Sequence, residues 1–149
     1  VGLGTFLPIR TDNLEDHKMH KEYFEIPQST IARIYDAKRR NRRVVALGTT
    51  VTRTLEYAND EIMAMGQKLA DDPEHASRDK LIGEADIFIY PGYEFKVVDV
   101  MITNFHAPKS TVLMMASSFA GWDFLKSAYQ YAIDEEMKFF SYGDSMLIK

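Results

Sequence analysis

The sequence predicts an α/β fold, three-layered with a mixed sheet and forming one domain over residues 1–149. Two observations carry that expectation. Short apolar runs of strand length alternate with longer segments whose apolar residues recur at helical spacing. Polar clusters then follow the ends of several of the apolar runs, where α/β folds gather their ligands. The bulk numbers agree: 149 residues, 46% hydrophobic and 27% charged, suit one ordinary globular domain.

Phe6 to Ile9 reads as a short extended piece, followed by a polar turn at Thr11-Asp12-Asn13. His17 to Ile26 suits a strand, because period-two alternation sets His20, Glu22, Phe24 and Ile26 on one face. Pro27 opens a helix with Ile31, Ile34 and Tyr35 at helical spacing, which ends in the basic run Lys38-Arg39-Arg40-Asn41-Arg42-Arg43. Val44 to Leu47 is a buried strand. Gly48-Thr49-Thr50 turns it into one long helix with Leu55, Ile62 and Leu69 on the apolar side. Asp71 to Gly83 is polar and irregular and reads as a loop. Asp86 to Tyr90 is the next strand, stopped by Pro91-Gly92, and Val97 to Ile102 is a third. A strongly apolar, central helix spans Ser110 to Phe119. Gly121 breaks it, Asp123 caps a further helix running to Glu136, and the tail Phe139 to Ile148 closes in an extended segment.

Composition narrows the possible functions. The formal charge of −4 gives no global attraction to nucleic acid or membrane, although the basic run could bind phosphate locally. Without cysteine there is no disulfide and no thiolate metal site, which is compatible with the cytoplasm. No apolar run approaches the roughly 18 residues of a membrane span. The first residue is Val1 rather than Met, so the chain is expected to be part of something longer.

The candidate chemistry sits at the turns. Gly48-Thr49-Thr50 starts a helix, with free N–H groups, two hydroxyls and Arg53 one turn in, and could hold a carboxylate or phosphate. It could equally be a plain helix cap, with Arg53 paired to Glu56 or Asp99. The second glycine and the Gly-Lys-Ser/Thr ending of a phosphate-binding loop are absent. His20 beside Glu22 makes a proton-transfer pair or an ordinary surface contact, and the spacing of a zinc protease is missing. Thr103, Asn104, His106, Lys109, Ser110 and Thr111 lie between a buried strand and a buried helix, where they form either a ligand site or a simple cap. Gly92-Tyr93 offers a ring for stacking or just a turn. Asp144, beside Gly143, is a weaker candidate.

These segments in order resemble the S-adenosylmethionine:tRNA ribosyltransferase-isomerase family of queuosine biosynthesis. The likeness runs through Val1-Gly2-Leu3-Gly4-Thr5-Phe6, His17 to Glu22, Gly48-Thr49-Thr50 with Arg53-Thr54-Leu55-Glu56, Asp86 to Tyr93, Ile102 to Thr111 and Phe139 to Ile148. Ala85, Ala107 and Ser145 depart from the family pattern, and Gln67 to Asp79 is longer or more polar than the usual connection. The resemblance is to the C-terminal portion. It implies that the family's N-terminal part, its inserted β-barrel domain and a histidine before the Val1-to-Phe6 motif are missing here. It also implies an enzyme that moves the ribosyl unit of S-adenosylmethionine, a co-substrate, onto 7-aminomethyl-7-deazaguanine at the tRNA wobble position. The product is epoxyqueuosine, released with adenine and methionine, and no metal is expected. By that resemblance His20, oriented by Glu22, is a base or acid and His106 assists the leaving adenine. Gly48, Thr49, Thr50, Arg53, Gly92, Tyr93, Thr103, Asn104, Lys109, Ser110, Thr111 and Asp144 bind substrate. The alternative is a truncated, inactive module that binds S-adenosylmethionine or tRNA.

Overall fold

A computed structural model describes residues 19–72 and 79–149. The extended piece at Phe6, the turn at Thr11, the Val1-to-Phe6 motif and His17 lie outside the described residues.

The first strand, β1 (Glu22–Pro27), starts later than the expected His17. Glu22, Phe24 and Ile26 are buried and Tyr23, Glu25 and Pro27 exposed, as the alternation predicts. His20 precedes the strand and is exposed rather than sharing the buried face of Glu22. Its ladder partner is β3 (Lys80–Ala85), antiparallel, with Glu22 opposite Ala85 and Ile26 opposite Leu81. Between them come α1 (Gln28–Arg39), β2 (Val45–Leu47), α2 (Thr49–Tyr57) and α3 (Asn59–Asp71). Pro27 precedes α1 with φ −62°, an angle its ring fixes, and Ile31, Ile34 and Tyr35 face inward. The expected single helix after Gly48 is instead two, bent at Ala58 (φ −91°, ψ 18°). Asn59 is the local cause, since its Nδ2 donates to the Glu56 carbonyl at 2.9 Å and competes with the helical ladder.

The second sheet is mixed. Strand β4 (Val100–Asn104) pairs parallel with β2 and antiparallel with β5 (Ser145–Ile148), giving the order β2-β4-β5. Ala46, Met101 and Ile148 lie side by side in register and are buried against helices, Ala46 with Ile31, Leu55 and Ile62, the other two with Leu113, Met115 and Leu125. On the opposite face Val45, Leu47 and Leu147 are exposed. The α/β class and the mixed sheet are as the sequence implies.

Two strands fall elsewhere than expected. Asp86 to Tyr90 joins no ladder among the described residues; Ile89 is buried by side-chain packing beside Leu113 and Met115. The ladder partner of β1 comes instead from Lys80 to Ala85, most of it in the stretch read as a loop. The third strand starts at Val100 rather than Val97, because the N–H groups before it are spent elsewhere. Glu56 in α2 is fully buried, and its carboxylate accepts from Lys96 N (2.8 Å), Val97 N (3.0 Å), Val98 N (2.8 Å) and the Tyr93 hydroxyl (3.2 Å). Pairing resumes only when Asp99 N and Val100 N reach the Val44 carbonyl.

Helix α4 (Thr111–Ala120) matches the expected central helix and is capped by Ser110, whose Oγ accepts from Leu113 N at 3.2 Å. Gly121, at φ 82°, ends it and also caps α5 (Trp122–Asp134). The expected cap, Asp123, lies two residues further on, in the first turn, where its charge meets the positive end of the helix dipole.

Glu56→Ala would strip the acceptor from three backbone donors, two of them in fully enclosed residues. Unpaired buried donors are expensive, so urea denaturation is expected to show a loss of about 3–5 kcal/mol.

Candidate functional site

Strand β2 ends at Leu47, and Gly48 adds one more rung by donating its N–H to the Ile102 carbonyl at 2.7 Å. Its φ of 95° then swings the chain sharply into α2, a backbone angle that side-chain-bearing residues rarely adopt. Gly48, the residue at its N-cap, has no side chain with which to cap α2. The N–H groups of its first turn and the positive end of its dipole therefore border a cleft lined by Gly48, Thr49, Thr50 and Val51.

The facing wall comes from the end of β4 and the loop after it. Thr103, Asn104, His106, Ala107, Ser110 and Val112 line it, with Leu47, Phe140 and Ser141 completing the rim of a cleft of about 440 Å³. That volume is within the usual range for a small-molecule site. The cleft opens at the carboxyl ends of two parallel strands, as ligand sites in α/β sheets do.

His106 is held on two sides. Its Nε2 shares a 2.8 Å hydrogen bond with Thr103 Oγ1, and its backbone N–H donates to the Tyr129 hydroxyl at 2.7 Å. The Tyr129 ring packs edge-on against both Phe105 and Phe139, and burial raises its hydroxyl pKa. Burial pushes the His106 imidazole down to about 4, because the cation would lose its hydration with no carboxylate to compensate. At neutral pH it is an uncharged ring with one donor and one acceptor nitrogen. Ser110 Oγ donates to the Ala107 carbonyl at 2.7 Å, which fixes the turn between His106 and α4. Asn104 Nδ2 reaches the carbonyls of Gly143 and Asp144, both at 3.3 Å, and Phe140 N donates to the Phe105 carbonyl at 2.9 Å. These bonds pin the rim segment against the strand.

Arg53 faces inward. Its Nη2 lies 2.5 Å from Glu22 Oε2, and both side chains are buried. The acid that engages Arg53 is thus Glu22, neither Glu56 nor Asp99. Glu56 holds the 96–98 backbone, and Asp99 accepts from Val44 N (2.8 Å) and Lys38 Nζ (3.0 Å). Arg53, Thr49 and Thr111 line a narrower hollow with Met19 and Val112; it shares Thr49 and Val112 with the cleft.

A model of the queuosine biosynthesis protein family matches residues 1–148. The chain belongs to that family. It is 54% identical over 148 residues to the S-adenosylmethionine:tRNA ribosyltransferase-isomerase of Chlorobium phaeovibrioides, covering 99% of this chain and 40% of the relative. The counterpart from Natranaerobius thermophilus is 53% identical over 151 residues, covering 100% of this chain and 40% of the relative. A crystal structure of S-adenosylmethionine tRNA ribosyltransferase from Thermotoga maritima superposes with a TM-score of 0.69 at 41% identity, covering 87% of this chain and 41% of that one. The chain therefore spans about 40% of the length of these relatives.

Of the residues singled out from the sequence, Gly48, Thr49, Thr50, Thr103, Asn104, His106 and Ser110 meet in the cleft, and Arg53 and Thr111 border the adjoining hollow. His20 is exposed, next to Met19 in that hollow, while Glu22 turns inward to Arg53. Four others lie apart from the cleft lining. Tyr93 bonds Glu56 and packs edge-on to Phe95, Gly92 makes a turn at φ 105°, and Lys109 is exposed at φ 59°. Asp144 accepts from Lys138 N at 2.8 Å and so closes its own turn. Sequence reasoning missed Val51, Val112, Phe140 and the support from Tyr129. Only the Phe139-to-Ile148 stretch, with Asp144 beside Gly143, hinted at the rim. Among the described residues no group of three or more His, Cys, Asp or Glu could hold a metal, and no helix is long and apolar enough to cross a membrane.

Two outcomes follow from this electrostatics. Arg53→Ala leaves the Glu22 carboxylate buried without its guanidinium and is expected to cost about 3–5 kcal/mol in a denaturation titration. For His106, the unfolded ring titrates near 6.5 and the folded one near 4. Between those values the unfolded chain binds a proton that the folded chain refuses, so stability falls as pH drops from about 6.5 to about 4. The fall is up to about 3 kcal/mol, and His106→Gln is expected to remove that part of a stability–pH profile.

Proposed function

We propose that the cleft contributes to transfer of the ribosyl unit of S-adenosylmethionine onto 7-aminomethyl-7-deazaguanine in the wobble position of tRNA, giving epoxyqueuosine. The observation that carries this reading is the pairing of a glycine-capped helix start with a partly buried, neutral His106 across one cleft, in a chain whose residues 1–148 match the family. The first turn of α2 and the hydroxyls of Thr49 and Thr50 suit the methionyl carboxylate, which needs donors and a positive potential. His106 suits the departing adenine. With a pKa near 4 it is a poor proton acceptor at neutral pH, and a neutral ring held by Thr103 serves better as a fixed hydrogen-bonding partner for a leaving base. Removal of the C5′ proton, acidified by the adjacent sulfonium, falls in this reading to His20, exposed beside the hollow that Met19 and Thr49 line. Arg53 and Glu22 are then a buried brace under the α2 start rather than direct ligands.

The test is single-turnover adenine release from S-adenosylmethionine in the presence of tRNA bearing the aminomethyl base. Adenine release by the wild-type chain is expected, with a drop of about 10²–10⁴-fold in His106→Ala and in His20→Ala. Release at the wild-type rate in both variants would remove the histidines from the chemical step. Binding of both substrates with no adenine formed by the wild type would instead identify a binding module.

A further inference from the structure

The basic run Lys38 to Arg43 plays no part in the cleft, yet it is built as firmly as the cleft is. Helix α1 ends in two backbone bonds, Arg42 N to the Ala37 carbonyl (2.8 Å) and Asn41 N to the Lys38 carbonyl (3.0 Å), with Asn41 in the left-handed region at φ 54°. This six-to-one and five-to-two pattern is the Schellman closure, so the turn has one backbone shape rather than a frayed end. Asp99 ties it down from the neighbouring loop, accepting from Lys38 Nζ at 3.0 Å and from Val44 N at 2.8 Å. Lys38, Asn41, Arg42, Arg43 and Asp99 together surround a surface hollow of about 400 Å³.

The charges sort into two sets. Lys38 is paired with Asp99, and Arg40 with Asp36 at 2.8 Å. Arg39, Arg42 and Arg43 are exposed and have no acidic partner among the described residues. Three unpaired guanidinium groups on one tight turn repel one another, and the chain as a whole carries −4. A local concentration of this sign, on a rigid backbone, fits a polyanion presenting regularly spaced charges. Guanidinium forks match phosphate oxygens geometrically.

We infer that the Arg39–Arg43 turn is a docking site for the phosphate backbone of the tRNA substrate, separate from the cleft. This inference rests on the function proposed above. Strand β2 joins the two places: Arg43 precedes its start and Gly48 follows its end, a span of roughly 16 Å of extended chain. A strand of RNA held by its phosphates at the turn could therefore place a base a few nucleotides further on in the cleft. Backbone contacts of this kind set position without reading sequence, which leaves base recognition to the cleft.

The measurement is fluorescence anisotropy of a labelled tRNA transcript titrated with the chain between 50 and 200 mM KCl. For Arg42→Glu/Arg43→Glu, an affinity loss of about tenfold or more is expected, and a slope of log affinity against log salt shallower by roughly 2. Arg42→Lys/Arg43→Lys is expected to retain most of the slope, and Lys126→Glu, a reversal on an exposed face of α5, to behave as wild type. If circular dichroism showed the reversal pair unfolded, Arg42→Gln/Arg43→Gln is expected to lose the same two salt-dependent contacts. Wild-type tRNA binding that is equally strong in the folded charge variants would overturn the docking turn and leave the proposed function standing. No tRNA binding by the wild type would overturn both.

Discussion

The carboxylate of Glu56 is the constraint from which the rest of the described structure follows. It sits with no exposure inside α2 and gathers three successive backbone N–H groups and a tyrosine hydroxyl from the 93–98 segment. Burying a carboxylate is tolerable only when its lone pairs are filled, and four donors fill them. The consequence is geometric. A segment with strong strand composition is held out of the sheet for three residues, so β4 begins at Val100 and ends at Asn104. That end point sets where Thr103 and His106 stand relative to Gly48, and so where the cleft opens.

The cleft itself joins two unlike electrostatic devices. The start of α2 supplies a positive potential without any ionised side chain at the mouth, since Arg53 is committed beneath it to Glu22. Across the gap His106 is kept neutral by burial and oriented from Thr103. Neither device needs to reorganise when a charged ligand arrives, which is the condition under which fixed dipoles stabilise charge most effectively. The rim depends on aromatic packing: Tyr129 meets Phe105 and Phe139 edge to face, Phe105 and Phe139 pack at a tilt, and they carry Phe140 and Ser141 to the opening.

Function divides between the two ends of β2 in this picture. Its carboxyl end faces the cleft, where the proposed recognition is by shape and directed hydrogen bonds. Its amino end carries the arginine turn, where attraction is long-ranged and sensitive to salt. The exposed apolar face between them, with Val45, Leu47 and Leu147, is the reverse of the buried Ala46, Met101 and Ile148.

What the sequence by itself determined were the features that depend on near neighbours. The β1 alternation, the start of α1 at Pro27, the Gly48 turn, the Ser110 cap and the apolar α4 are all short-range patterns, and the motif order from Gly48 through His106 marked the family and most of the cleft. Tertiary structure alone decided which polar groups meet across long separations. Arg53 pairs with Glu22, 31 positions away, rather than with the nearer Glu56, because β1 brings its inward face onto α2. Ile87 and Ile89 read as a strand in the sequence because burial and strand pairing leave the same apolar signature. In the fold they pack with the core cluster of Leu113 and Met115, and among the described residues no ladder includes them. Tyr93, which the sequence offers as a stacking ring or just a turn, donates its hydroxyl to Glu56 at 3.2 Å. Side-chain chemistry states what a residue can bond, but only the folded chain selects among the partners within reach.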